Sequence, residues 1–160
     1  MDDGLRTRYP RLARSHFVVT SPPSEAYNCI AWAAGHDTEW WDPLGFWWPR
    51  DALAEWSLRA MLDVFRILGY SPAFTGELET GIEKIAIYGF ENDPKHVTRQ
   101  LESGHWTSKL GKNVDIEHEL DGLCGSKYGE VLMVMSRPQG ARPRGPIPLV
   151  RRGVADAVGA

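Results

Sequence analysis

The sequence predicts an α+β domain, with helices in the first half of the chain and a small antiparallel sheet in the second. Two observations carry this. Apolar residues (Leu53, Trp56, Ala60, Met61, Val64, Phe65, Leu68) recur at three- and four-residue spacing across residues 51–68, the stripe of an amphipathic helix. After Lys84 the pattern changes to short apolar or alternating runs separated by turn residues, as half-buried strands require. At 160 residues the chain suits one domain with a real core.

Residues 9–23 read as a lead-in with a short strand at Phe17-Val18-Val19, stopped by Pro22-Pro23 because proline fixes φ and lacks a donor. A helix then starts at Cys29, with Asn28 as its N-cap and Gly35 just past its end. Residues 36–49 hold four of the seven tryptophans, Trp40, Trp41, Trp47 and Trp48. They either wall a substrate groove or lid the core. The 51–68 helix follows, framed by Pro49 and Gly69. Residues 84–89 form a strand, and Glu91-Asn92-Asp93-Pro94 a turn. Residues 96–101 and 106–110 then make a hairpin on a two-residue Ser103-Gly104 turn. That register pairs Leu101 with Trp106, so Val97, Leu101, Trp106 and Leu110 share an apolar face. His96, Thr98, Gln100, Thr107 and Lys109 then share a polar one, free to line a cleft. Residues 128–136 give a last, buried strand.

Composition bounds the rest. Charged residues at 24% and hydrophobic residues at 42% are those of a globular protein. No apolar run approaches the ~20 residues of a membrane span, so no membrane partner is expected. The first residues are acidic and then basic with no apolar stretch behind them, which predicts a cytoplasmic protein rather than an exported one. Cys29 and Cys124 are the two cysteines, expected reduced, and neither lies in a Cys-x-x-Cys. From Arg137 onward five arginines face Asp156 alone, a charge of +4 against −7 for the preceding residues and −3 overall. With its prolines and glycines this end reads as a flexible basic tail, 137–160, on a single domain, 1–136. A protein partner through the tail is conceivable; nucleic-acid binding is not expected, because the body is acidic.

Cys29 is the residue with chemistry to explain. At a helix start it meets unpaired N–H groups and the positive end of the helix dipole, which favour thiolate. His96 is the candidate general base, since an imidazole beside a thiol removes its proton and later protonates the leaving group. Asp115 is the first choice to orient that imidazole. Lys109 suits substrate binding, and Asn28 with nearby backbone N–H groups suits an oxyanion. His36 reads as a cation at a helix end, His16 as part of the lead-in and His105 as a turn residue. His96, Asp115 and His118 lack metal-ligand spacing, and no phosphate loop is present. No metal and no cofactor are expected.

The segments Tyr27-Asn28-Cys29-Ile30-Ala31-Trp32-Ala33, Trp40-Trp41, Lys84-Ile85-Ala86-Ile87-Tyr88 and Trp106-Thr107-Ser108-Lys109-Leu110-Gly111, with His96, Asp115-Ile116 and His118, resemble an uncharacterised family of small bacterial and fungal proteins. The likeness covers roughly residues 9–137. The order of thiol helix and later strand histidine is also similar to the papain-like cysteine amidohydrolases of the CHAP and NlpC types. That resemblance implies a papain-like fold, with N-terminal helices packed on the sheet. It also implies hydrolysis or acyl transfer at an amide or ester bond of a peptide-like substrate, through a thioester on Cys29. The alternative is a non-catalytic module that retains the fold and binds a peptide or a glycan, with Cys29 as core and Trp40 and Trp41 as grip, or that serves as an immunity-type interaction protein.

Overall fold

The computed structural model describes residues 2–152. In chain order the elements begin with α1 (Asp2–Arg8), β1 (Phe17–Ser21), α2 (Cys29–Ala33), β2 (Trp47–Pro49) and α3 (Leu58–Ile67). Strands β3 (Ser71–Ala73), β4 (Ile82–Phe90), β5 (Asp93–Gln100) and β6 (Trp106–Lys109) follow. The series ends with β7 (Asp115–His118), β8 (Glu130–Pro138) and β9 (Leu149–Arg151). Seven strands form one sheet in the order β1-β7-β6-β5-β4-β8-β3, and β2 pairs with β9 apart from it. Every strand pair is antiparallel.

A papain-like α+β arrangement, with helices packed on a small sheet, is therefore not what forms. The described residues are mostly antiparallel β, with nine strands among them and helices that are few and short. Four short strands absent from the sequence reading, β2, β3, β7 and β9, account for part of the difference, while β1 extends the short strand read at Phe17-Val18-Val19. β1, β3 and β7 each find a partner in the main sheet. Strands of three to five residues carry too few periods to announce themselves.

The helix read across residues 51–68 begins only at Leu58. Ser57 caps it, its hydroxyl accepting from the Ala60 N–H, which satisfies one of the orphan donors of the first turn. The preceding residues fold back instead: Trp48 Nε1 donates to the Leu53 carbonyl, and the Leu53 N–H donates to Asp63. Leu53 and Trp56, counted in the apolar stripe, are exposed.

The sheet separates two cores. On one face α2, α3, Trp41 and Trp48 pack with Ile85, Ile87, Val97 and Met135. On the other, Leu5, Tyr9 and Leu12 from the N-terminal segment pack with Tyr88, Ile116, Leu123 and Tyr128. Alternation along β4 sends Ile85 and Ile87 one way and Tyr88 the other, as the pleat demands.

The basic end, expected as a tail, is docked over its described part. β9 lies against β2, with Trp48 opposite Val150. Arg142 holds Glu83 through two hydrogen bonds of 2.6 and 2.7 Å, and Arg137 donates to Glu83 and to the Leu68 carbonyl. Ile147 and Leu149 pack on the first core. Residues 153–160 lie outside the described residues.

The hairpin register differs by one residue from the sequence reading, with a large consequence. Gln100 opposes Trp106 and Arg99 opposes Thr107. The connection is not a two-residue turn: the Leu101 N–H donates to the His105 carbonyl, the Gly104 N–H donates to the Leu101 carbonyl, and Gly104 sits at φ 94. A three-residue loop with a left-handed glycine adds one residue to the count, and a one-residue slip moves every side chain to the other face. His96, Thr98 and Gln100 thus share a face with Trp106 and Ser108, while Val97 and Arg99 share one with Thr107 and Lys109.

Gly129 is the tightest backbone approach with a left-handed φ (+77), since a Cβ there would lie 2.1 Å from the Gly89 carbonyl oxygen. Gly129→Ala should destabilise the fold by about 3 kcal/mol, read as a fall in thermal midpoint of several degrees. An unchanged midpoint would mean that β4 and the turn before β8 do not approach this closely.

Candidate functional site around Cys29 and His96

Asn28 fixes the start of α2. Its Oδ1 accepts from the Ala31 and Trp41 N–H groups, and its Nδ2 donates to the Trp41 carbonyl. Both acceptor positions of Oδ1 and one of the two Nδ2 hydrogens thus join α2 to the tryptophan loop, which makes Asn28 the cap of α2. Trp41 is wholly buried in the first core, so it does not grip substrate; Trp40 is half-buried beside Phe46, with ring centroids 6.1 Å apart.

Cys29 is the first residue of α2. The residue is only partly buried, yet its sulfur lies deep enough that burial pushes the thiol up to about 11, against the pull of the Val97 N–H, the first N–H groups of the helix and the Lys109 charge. The expected thiolate does not form for a physical reason: α2 has five residues, so its dipole is short, and desolvation outweighs it. What the sulfur meets on β5 is the backbone of Val97, the neighbour of His96.

The His96 side chain takes the other face of β5. It is 2% exposed and stacks on Tyr128 at 4.3 Å between ring centroids. Its Nε2 lies 2.9 Å from Ser108 Oγ, and Ser108 Oγ lies 2.7 Å from His118 Nε2. His118 Nδ1 lies 2.7 Å from the Glu119 carbonyl, an acceptor only, so Nδ1 carries the proton and Nε2 the lone pair. Ser108 Oγ also lies 2.8 Å from Thr98 Oγ1, so its one proton has two acceptors in reach, His118 Nε2 and Thr98 Oγ1; with either it accepts from His96 Nε2–H, while His118 donates to Glu119. The Thr98 hydroxyl donates to the Thr107 carbonyl and closes the cluster. His96 Nδ1 is then a bare lone pair, and it has no hydrogen-bond partner. Burial holds His96 well below the usual imidazole range, with His118 adding repulsion, and brings His118 down to about 4.

Asp115 and Lys109 belong elsewhere. They face each other across β6 and β7 on the side of α2. Asp115 Oδ2 accepts from the Tyr27 hydroxyl at 2.7 Å. Lys109 is buried, donates to the Ser24 and Gly111 carbonyls, and lies 5.1 Å from the Tyr27 ring centre. Burial lowers its pKa while Asp115 opposes the shift. The group behind His96 is thus Ser108 and not Asp115, and Lys109 braces the segment leading to α2 rather than presenting an amine to solvent. The two-residue reading of the hairpin turn set His96 on the face opposite Trp106, and so away from Ser108.

No hydrogen bond joins Cys29 to His96. Five surface hollows of about 320 to 520 Å³ lie on other parts of the chain, and none of the five is lined by either residue. Among the described residues no helix is long and apolar enough to cross a membrane.

A family model, the domain of unknown function DUF7689, matches residues 18–136. The chain belongs to this family. No curated protein and no solved structure matches it. The matched span runs from β1 to within β8 and includes α2, the hairpin and the serine–histidine cluster.

The cluster predicts an acid sensitivity. His118 falls from 6.5 to about 4 on folding, so between those values the unfolded chain binds the proton and the folded one does not. Stability is therefore intact above about pH 6.5 and lost as pH falls towards 4, by about 3 kcal/mol at most for His118, with His96 acting in the same direction. Denaturant midpoints measured from pH 7.5 to 4.5 should fall, and His118→Gln should flatten the slope. An equal slope in the variant would show that His118 is not buried neutral.

Proposed function

We propose that the protein carries out thiol-dependent acyl chemistry, hydrolysis or transfer at an amide or ester bond, with Cys29 as nucleophile and His96 as base. The observation that supports this reading is the unpartnered Nδ1 of His96, fixed from behind by Ser108, on the residue next to the one whose N–H meets the Cys29 sulfur. A neutral imidazole with one nitrogen anchored and the other bare is ready to accept a proton.

Because both groups are neutral at rest, the pair acts by general-base attack rather than as a preformed thiolate–imidazolium pair. Sulfur bonds to the carbonyl carbon as its proton passes to His96 Nδ1. The imidazolium gives that proton to the departing amine or alkoxide, leaving a thioester on Cys29. Water or another acceptor then cleaves the thioester, its proton passing through the same nitrogen. Proton transfer needs Sγ and Nδ1 to approach to hydrogen-bond distance when substrate binds, since apo contacts of this kind are often long.

A second reading, a non-catalytic binding module, draws on a different observation. Leu44, Phe46 and Trp47 are all exposed in one short stretch, an apolar ledge that a peptide or protein partner would cover. In that case Cys29 is packing and its raised pKa needs no further explanation.

Alkylation by chloroacetamide at pH 7.5 separates the two. The thiol reading expects Cys29 to react at least about 100-fold faster in the wild type than in His96→Ala, with Cys124 slow in both. Equal rates at Cys29 in the two folded proteins, as for an ordinary thiol, would leave the binding module.

A further inference from the structure

We propose that His16, His105 and Glu117 form a binding site for a divalent transition-metal ion of the zinc class, independent of Cys29. The three residues come from separate places in the sequence: just before β1, just before β6, and the middle of β7. The sheet brings them together by register. β7 lies between β1 and β6, and Glu117 is opposite Val18 on one side and Thr107 on the other. His16 and His105 stand two residues before those partners. Side chains two apart in a strand share a face, so both imidazoles project on the side of Glu117, flanking its carboxylate.

The distances suit a metal. His16 Nε2 lies 2.8 Å and His105 Nδ1 lies 3.7 Å from Glu117 Oε2. One donor atom from each residue falls within 4.8 Å of the others. Ligands about 2.0–2.1 Å from a tetrahedral zinc stand roughly 3.3 Å from one another, so the two measured separations straddle the required one. The imidazoles are stacked, 4.3 Å between centroids and 18° between planes, and each stands one residue ahead of a strand of the main sheet. Two imidazoles and one carboxylate are a borderline donor set that favours zinc, cobalt or nickel over calcium or magnesium. Three protein ligands leave a coordination position for water.

Access is open as well. The side chains of His16, His105 and Glu117 are 38%, 37% and 27% exposed, enough for an ion to enter while the strands hold the ligands. A bound ion would tie the edge strand β1 to the hairpin loop through β7. It would also account for why three ligating groups converge where a simple ion pair needs only two.

The test uses untagged full-length protein, so that no affinity-tag histidines compete. Isothermal titration with zinc chloride at pH 7.5 should give one site per chain, and cobalt chloride should give visible d–d absorption. In His105→Ala and Glu117→Gln, affinity should fall by at least about tenfold, with unchanged circular dichroism showing that the fold survives. Cys29→Ala and His36→Ala should bind as the wild type does. Loss of binding in Cys29→Ala would place the ion at the thiol instead, and equal binding in Glu117→Gln and the wild type, or no binding at all, would overturn the site. Loss of binding in His105→Ala or Glu117→Gln, or its retention there, does not bear on whether Cys29 is a nucleophile.

Discussion

The pairing of β5 with β6 governs what the rest of this molecule can do. Gln100 opposite Trp106 is a single register choice, set by a three-residue loop that ends in a left-handed Gly104. It sends Ser108 to the face of His96 and Lys109 to the face of α2. One residue of slip would put a lysine beside the imidazole and a hydroxyl beside Tyr27. The adjoining β7 repeats the division, placing His118 on the first face and Asp115 on the second. Two polar clusters, one of neutral hydrogen-bonded groups and one of a lysine, a tyrosine and a carboxylate, are thereby kept on opposite sides of one sheet.

Each cluster solves the problem of burying polar groups differently. Ser108 lets two imidazoles be buried without charge, because a hydroxyl can accept from one ring and donate to the other. Lys109 instead spends its protons on backbone carbonyls of segments that lead into α2 and out of β6, with Asp115 as a nearby counter-charge. Both arrangements rigidify the region under Cys29, and a half-satisfied version of either would cost more than an apolar core. His96 Nδ1 and Asp115 Oδ1 are the buried polar atoms left without partners in them.

Much of this was legible in the residues. The cap Asn28, the helix end at Gly35 and the strand around residues 84–89 follow from local chemistry and appear where local chemistry puts them, because capping and long apolar runs need no partner to be read; the strand read at 128–136 forms as β8, but it is mostly half-buried, with Met135 its one buried residue, and β9 follows it. The short strands were not legible. Phe17–Ser21 was seen only in part, and Ser71–Ala73 and Asp115–His118 gain their extended form from neighbours far along the chain. The start of α3 was hidden because Leu53 and Trp56 continue the apolar spacing by coincidence while Ser57 offers the better cap. Cys29 and His96 could be singled out by type, but their environment could not: the desolvation that raises the thiol and the serine behind the imidazole both depend on tertiary packing. The His16, His105 and Glu117 group lay beyond sequence reading for the same reason, since only strand order makes those positions neighbours.

The proton arrangement in the His96–Ser108–His118 chain is the claim on which the functional reading stands, and the tautomers of the two rings report it directly. Long-range ¹H–¹⁵N correlation spectra of the imidazoles at pH 7 should show opposite tautomers, His96 protonated at Nε2 and His118 at Nδ1, with neither ring cationic. Two rings in the same tautomer, or an imidazolium at either position, would contradict the account.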